Sequence, residues 1–141
     1  MALKHLIYLS TAVKEFDPDV LEKIMSSAVR HNTPSAVTGM LLYAQGSFLQ
    51  VLEGEADAVN ETFARVEKDP RHHSIIIVLA EPIEERSFAQ WSMGFRRIGP
   101  ADLAANSAYA PLIQGGFDAK RIGAQPGIAL ELLKEFGHNS A

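Results

Sequence analysis

The run Phe48-Leu49-Gln50-Val51-Leu52-Glu53-Gly54 is apolar on both parities of a strand except for one primary amide at Gln50. Such a strand needs apolar material on both faces of its sheet, and a buried amide must be hydrogen-bonded or it costs a few kcal/mol. Something polar is therefore expected opposite Gln50. The segment Leu3 to Ser10 reads as a first strand and carries a phenol, Tyr8, in a similar apolar setting. Asn32 follows an apolar helical stripe. Phenol and amides form a hydrogen-bonding set without a strong acid, base or nucleophile. That set suits holding a polar heterocycle better than cleaving a bond.

The elements follow from periodicity. Asp17-Pro18 reads as an N-cap and first-turn proline, opening a helix to about His31 on Leu21, Ile24, Met25 and Ala28; Thr33-Pro34-Ser35 ends it. Val37 to Tyr43 and Phe48 to Glu53 read as a hairpin joined by Ala44-Gln45-Gly46-Ser47. Glu55 to Lys68 is a second amphipathic helix, with Val59, Phe63 and Val66 on one stripe and Asp69-Pro70 closing it. The β-branched run from Ile75 to Leu79 predicts a strand buried on both faces, and Trp91, Met93 and Phe95 alternate along a last strand. The order β-α-β-β-α-β-β specifies an α+β, ferredoxin-like sheet with two helices on one face. Beyond Gly99 prolines and glycines interrupt the pattern, leaving two helical pieces at about Ala101 to Ile113 and Ile128 to Phe136. The division expected is residues 1–98 as one domain and 99–141 as a short helical extension. The apolar positions Ile7, Leu9, Leu49 and Val51 would leave the second sheet face wet unless that extension covers it.

Composition narrows the function. The 141 residues carry a net charge of −4 with a pI near 5.7, which gives no positive field for nucleic acid. Cysteine is absent, so thiolate chemistry and Cys-based metal or iron–sulfur sites are excluded. The longest apolar run, Ile75 to Ala80, is too short to span a bilayer, and the N-terminus lacks a long apolar signal core, which reads as a cytoplasmic location.

By strand parity, Leu6, Tyr8 and Ser10 share one face of the first strand, while Phe48, Gln50 and Leu52 share one face of the third. Tyr8 can thus meet Gln50, either as part of a site or as ordinary core hydrogen bonding. The end of the second helix gathers Arg65, Asp69, Arg71, His72 and His73, which either grips a phosphate-bearing chain or is a solvated helix end. Adjacent His72 and His73 point apart in a strand and no third ligand is suitably spaced, so no metal site is expected. Trp91 and Met93 share a strand face, as core or as cofactor shell. No Ser/His/Asp order and no phosphate loop at Gly115-Gly116 is present, so enzymatic catalysis is not expected.

Together, Leu6-Ile7-Tyr8-Leu9-Ser10, His31-Asn32, Thr38-Gly39-Met40-Leu41, Phe48 to Gly54, Asp69-Pro70-Arg71-His72-His73, Arg86-Ser87-Phe88 and Trp91-Ser92-Met93 resemble the BLUF family of flavin-using blue-light sensors. The resemblance runs from about residue 3 to 98, and the short tail is similar to the stand-alone subfamily typified by the cyanobacterial PixD proteins. It implies a flavin (FAD, FMN or riboflavin) between the two helices. Ile24 and Val66 would pack its ring faces, Asn32 its polar edge, and Gln50 would lie between ring and Tyr8. Arg65, Asp69 and Arg71 would face the ribityl-phosphate end, with His31, Phe48 and His72 completing the shell. Ala28, often serine in relatives, removes a possible hydroxyl contact, and His31 stands at a variable position. The implied activity is photochemical: electron and proton transfer from Tyr8 coupled to rearrangement of Gln50, sensed by Trp91 and Met93. The implied partners are a homo-oligomer, dimer or larger ring, and a response-regulator-like or other effector protein. A flavin-dependent enzyme and a plain dimeric interaction module of the same fold are the alternatives.

Overall fold

The computed structural model describes residues 2–13, 18–90, 93–113 and 116–137. The chain forms β1 (Leu3–Ala12), α1 (Pro18–Ser35), β2 (Thr38–Ala44), β3 (Ser47–Glu55), α2 (Ala56–Glu67), β4 (His72–Ile83) and β5 (Gly94–Arg97). Behind them come α3 (Pro100–Ala105), a 3₁₀ turn (Ala110–Leu112), α4 (Ala119–Ala124) and α5 (Gly127–Gly137). The strand order is β4-β1-β3-β2-β5, antiparallel throughout except for the parallel pair β2–β5. This is the expected ferredoxin-like arrangement with one strand added beside β2.

The β2–β3 connection is tighter than four residues. Ala44 pairs with Ser47, and the turn is Gln45-Gly46 with φ of 46° and 84°, both in the left-handed region that a primed hairpin turn requires. Helix α1 runs past the predicted stop at His31 to Ser35, carrying Pro34 in its last turn. Its end is set by Ala36 at φ 55°. The Ala36 N–H bonds the Thr33 carbonyl at 3.2 Å and the Val37 N–H bonds the Asn32 carbonyl at 3.1 Å, the paired bonds of a Schellman C-cap. The expected N-cap, Asp17, lies outside the described residues.

Alternate residues of the central strands feed two cores. Leu6, Tyr8, Leu41, Phe48 and Leu52 pack beneath Val59 and Phe63 of α2, with Ile24 and Ala28 of α1 against them. Ile7, Leu9, Met40, Leu42, Leu49 and Val51 form the other face, covered by Ile113, Phe117, Ile122, Leu132, Leu133 and Phe136 of the C-terminal segment. The apolar second face is thus closed by the extension, as its sequence requires. Ser47 reinforces the closure, since its hydroxyl accepts the Phe117 N–H at 2.7 Å.

Three expectations fail. The last strand begins only at Gly94, so Met93 stands just before it instead of alternating along it with Phe95, and Trp91 lies outside the described residues. The β-branched run from Ile75 to Leu79 lies in an edge strand, not one buried on both faces, and Ile76 and Ile77 are 46% and 51% exposed. Isoleucine there reflects strand propensity as much as burial. Register shifts against β1 and a left-handed Ser74, φ 56°, bend this edge. The first tail helix ends at Ala105, and Pro111, which has no N–H, sits in the separate 3₁₀ turn. Helix α4, capped by Asp118 accepting the Arg121 N–H at 3.0 Å, was not anticipated.

Candidate functional site

Helices α1 and α2 stand over the β1–β3 ladder and leave between them a cavity of about 570 Å³, within the range of small-molecule sites. Its floor is the sheet: Tyr8, Leu41, Phe48, Gln50 and Leu52. Its walls are Ile24, Ala28 and Asn32 of α1 and Thr62, Arg65 and Val66 of α2. Its mouth carries Lys68, Asp69, Pro70, Arg71 and His72.

On the floor, Tyr8 and Gln50 are register partners in the β1–β3 ladder, and both are at most 5% exposed. The Tyr8 hydroxyl donates to Gln50 Oε1, and Gln50 Nε2 donates to Met93 Sδ at 3.2 Å. A thioether has no proton, so the amide end that bonds it must be the NH₂, which leaves the carbonyl for Tyr8. Met93 therefore fixes the sense of the amide. Gly39 makes room for it: a Cβ there would stand 3.3 Å from the Met93 methyl and 2.0 Å from the Val51 carbonyl oxygen.

Burial, and then the negative charge of Asp69, pushes the Tyr8 phenol far above the usual value of 10, so it is neutral throughout the physiological range. The rings of Phe63 and His72 flank it with centroids at 5.6 and 6.2 Å. His72 is itself oriented. Its Nε2 lies 2.7 Å from the Val66 carbonyl, which can only accept, so Nε2 donates; in the neutral ring Nδ1 then accepts from the Ser10 hydroxyl at 2.7 Å.

At the mouth, Asp69 pairs with Arg71 rather than with Arg65. Helix α2 ends at Glu67, so Asp69 lies beyond the regular i, i+4 geometry. Its carboxylate accepts the Arg71 backbone N–H at 2.9 Å and Arg71 Nε at 2.9 Å. Partial burial pushes the Asp69 carboxyl up, but the Arg71 hydrogen bonds and charge outweigh that and hold it below its ordinary value. Arg71 is correspondingly raised, through its hydrogen bonds to Asp69.

Ten of the expected residues thus line one cavity: Tyr8, Ile24, Asn32, Phe48, Gln50, Arg65, Val66, Asp69, Arg71 and His72. Met93 joins through Gln50. The His31 side chain and Trp91 lie outside the described residues. Sequence reasoning missed Ser27, Leu41, Leu52, Thr62 and Lys68 as lining residues. Helical spacing carried a signal for some of them, because Ser27 stands three residues from Ile24 and Thr62 and Lys68 each three from Arg65.

The donor set fits a flavin. Aliphatic side chains from two helices flank a slot, neutral amides from Gln50 and Asn32 supply donors and acceptors for a heterocycle edge, and Arg65, Lys68 and Arg71 outnumber Asp69 where an anionic tail would emerge.

A family model described as BLUF, sensors of blue-light using FAD, matches residues 3–94. The photoactivated adenylate cyclase subunit beta of Euglena longa is 38% identical over 92 residues, 64% of this chain but 11% of that protein. The blue light- and temperature-regulated antirepressor BluF of Escherichia coli is 34% identical over 91 residues, 64% of this chain and 23% of that protein. The chain therefore spans only a small part of these curated relatives. Among solved structures, the dark state of BlrB, a BLUF protein, superposes with a TM-score of 0.73 at 32% identity, covering 97% of this chain and 96% of that one.

Proposed function

The chain belongs to the BLUF family, the sensors of blue light using FAD, and on that premise we propose that it is a photosensor whose switch is the Gln50 amide between Tyr8 and Met93. The carrying observation is that hydrogen-bonded chain on the cavity floor. A flavin bound in the cavity supplies, on absorbing blue light, a one-electron oxidant. Tyr8 would be the electron donor, the phenol on the cavity floor, and a phenol that gives up an electron becomes strongly acidic. Its proton then has a ready acceptor in Gln50 Oε1 along the existing bond. Taking that proton would end the oxygen's role as acceptor, and Gln50 would rotate about its Cγ–Cδ bond, or pass an N–H proton on toward the flavin edge and become the imidic tautomer, so that its donor and acceptor ends face different neighbours. Rotation would turn the carbonyl toward the Met93 sulfur, two acceptors face to face, so Met93 separates the two arrangements in energy.

The remaining assignments belong to the same reading. Ile24 and Val66 would pack against the flavin ring, Asn32 would bond its edge, and Arg65, Lys68 and Arg71 would bind the phosphate of FAD, the first candidate, or of FMN, with riboflavin the remaining one. Residues 1–98 form the sensing unit and the extension 99–141 the output, acting on an effector protein through light-dependent association within a homo-oligomer. The chain acts as a sensor rather than an enzyme, in the cytoplasm.

The test is optical. Purified protein is expected to be yellow, to show a reversible red shift of its flavin absorption on blue illumination, and to lose that shift, but not its flavin, on Gln50→Leu. Yellow protein without a photocycle would instead indicate a dark flavin enzyme, and colourless protein an interaction module.

A further inference from the structure

Glu53 is a carboxylate with no surface exposure at all, three residues from Gln50 on β3 but on its opposite parity. The switch described above makes no use of it. Its two oxygens are occupied: Oε1 accepts the Thr38 hydroxyl at 2.9 Å and the Phe88 N–H at 2.6 Å, and Oε2 accepts the Ser87 N–H at 2.9 Å. Thr38 is Glu53's register partner on β2, and its hydroxyl in turn accepts from Arg86 Nη1 at 2.9 Å. Arg86 also bonds the Glu53 carbonyl at 3.2 Å. Gly54 allows a close approach of the α1–β2 connection, since a Cβ there would stand 3.1 Å from the Ala36 carbonyl oxygen, with Arg86 Nη2 at an ordinary contact distance of 3.6 Å. Three consecutive residues beyond β4, Arg86 to Phe88, are thereby bonded to a single strand end.

What those residues lead to gives the contact its meaning. Phe88 packs into the core under the C-terminal extension, whereas Met93 packs into the cavity-side core. Phe88 and Met93 thus belong to opposite faces of the sheet, and directly after Met93 begins β5, whose Gly94 pairs with Met40. Met93 is therefore flanked in sequence by two anchored points, Ser87 and Phe88 on Glu53 before it and the β5 ladder directly after it.

We propose that Glu53 is a positioning residue for the switch: by anchoring Ser87 and Phe88 it holds Met93 against Gln50 and so sets how strongly the amide prefers the arrangement described here. The inference rests on the photosensor reading and adds a residue to it. Glu53→Gln tests it with little change of shape, because an NH₂ in place of Oε2 faces the Ser87 N–H, donor against donor.

The experiment compares wild type, Glu53→Gln, Met93→Leu and the double variant as flavin-loaded proteins. Two readouts are taken, the rate of dark recovery after a blue pulse and the ε-methyl NMR signal of Met93, one of four methionines, assigned by its loss in Met93→Leu. Glu53→Gln is expected to slow recovery about threefold or more, the scale of one hydrogen bond lost from the recovered state. It is expected to move the Met93 methyl signal, and in the Met93→Leu background to change the rate no further. Wild-type recovery with an unmoved Met93 signal overturns the proposal, and so do effects that multiply in the double variant. Should Glu53→Gln not fold, Thr38→Val, which removes the hydroxyl between Arg86 and Glu53, carries the test with the same outcomes. A wild-type protein without a photocycle refutes the photosensor reading instead, while the methyl signal still decides whether Glu53 positions Met93.

Discussion

Met93, the residue just before β5, reaches over Gly39 of β2, its methyl 3.3 Å from the point where a side chain on the glycine would begin. The same glycine lets the Val51 carbonyl of β3 pass within 2.0 Å of the place a Cβ would take. Gly39→Ala must therefore push β2 away from β3 as well as displace Met93. We expect a loss of stability of more than about 3 kcal/mol, at the severe end for single substitutions, measured by denaturant unfolding. A variant as stable as wild type would show that the close approach is dispensable.

Tyr8 predicts an alkaline weakness. Burial holds its proton in the folded state at pH values where an unfolded tyrosine, ionising near 10, has lost it. A group whose folded value is raised contributes its stability in full below the unfolded value and loses it as pH climbs beyond. Wild type should therefore lose stability relative to Tyr8→Phe only above about pH 10. Urea midpoints at pH 8 and above that threshold check this, and parallel curves for the two proteins would contradict it.

Removing the phenol also removes the proposed donor. Tyr8→Phe should keep its flavin and its fold, since the ring still packs against Phe63, and lose the light-induced red shift. Absorption spectra before and after illumination decide the point, and a normal photocycle would move the donor role elsewhere.

The cavity mouth should govern cofactor retention rather than photochemistry. Arg71→Ala deletes a cation and the partner of Asp69, and Asp69→Ala frees the turn that Arg71 closes. Charge-assisted bonds contribute roughly 1.5–3 kcal/mol when shielded and less at a partly open mouth, so about tenfold weaker flavin binding is expected for each. The Asp69–Arg71 contribution should also fade as pH falls below the ordinary aspartate value of 3.8, because Asp69 is lowered in the folded state. Equilibrium dialysis against free flavin measures both effects, and unaltered occupancy would return this cluster to simple surface charge.

Leu132 is fully buried on α5 beneath the sheet, so Leu132→Ala should cost about 2–5 kcal/mol. Truncation after Ile98 would go further, stripping the cover from Ile7, Leu9, Leu49 and Val51. The shortened protein should aggregate or change oligomer size by light scattering. If it stays soluble and of unchanged size, the extension is not an essential layer.

Sequence alone made the element order readable, because helical and strand periods alternate cleanly up to Met93. Parity let Tyr8 meet Gln50 and helical spacing put Ile24 and Val66 on apolar stripes, but that these converge on one cavity between the helices came only from the family resemblance. The edge position of β4 was not readable: isoleucine and valine are used for pleated surfaces whether or not those surfaces are covered. Nor was the pairing of Asp69 with Arg71, which depends on where α2 unwinds. Glu53 hid in plain view. It shares parity with the wholly apolar Leu49 and Val51, yet it read as the polar end of a strand, because its two backbone donors come from a segment more than thirty residues away.

The alternation of β3 carries a last implication. Leu49 and Val51 belong to the layer under the extension, while Gln50 between them belongs to the cavity, and each is joined to the next by a single planar peptide. Whatever tilts or slides that stretch of backbone at the amide is delivered to the underside within one bond, without a relay of side chains. On the proposed photosensor reading, side-chain substitutions would change how strongly the extension answers, while the connection itself would run through the main chain.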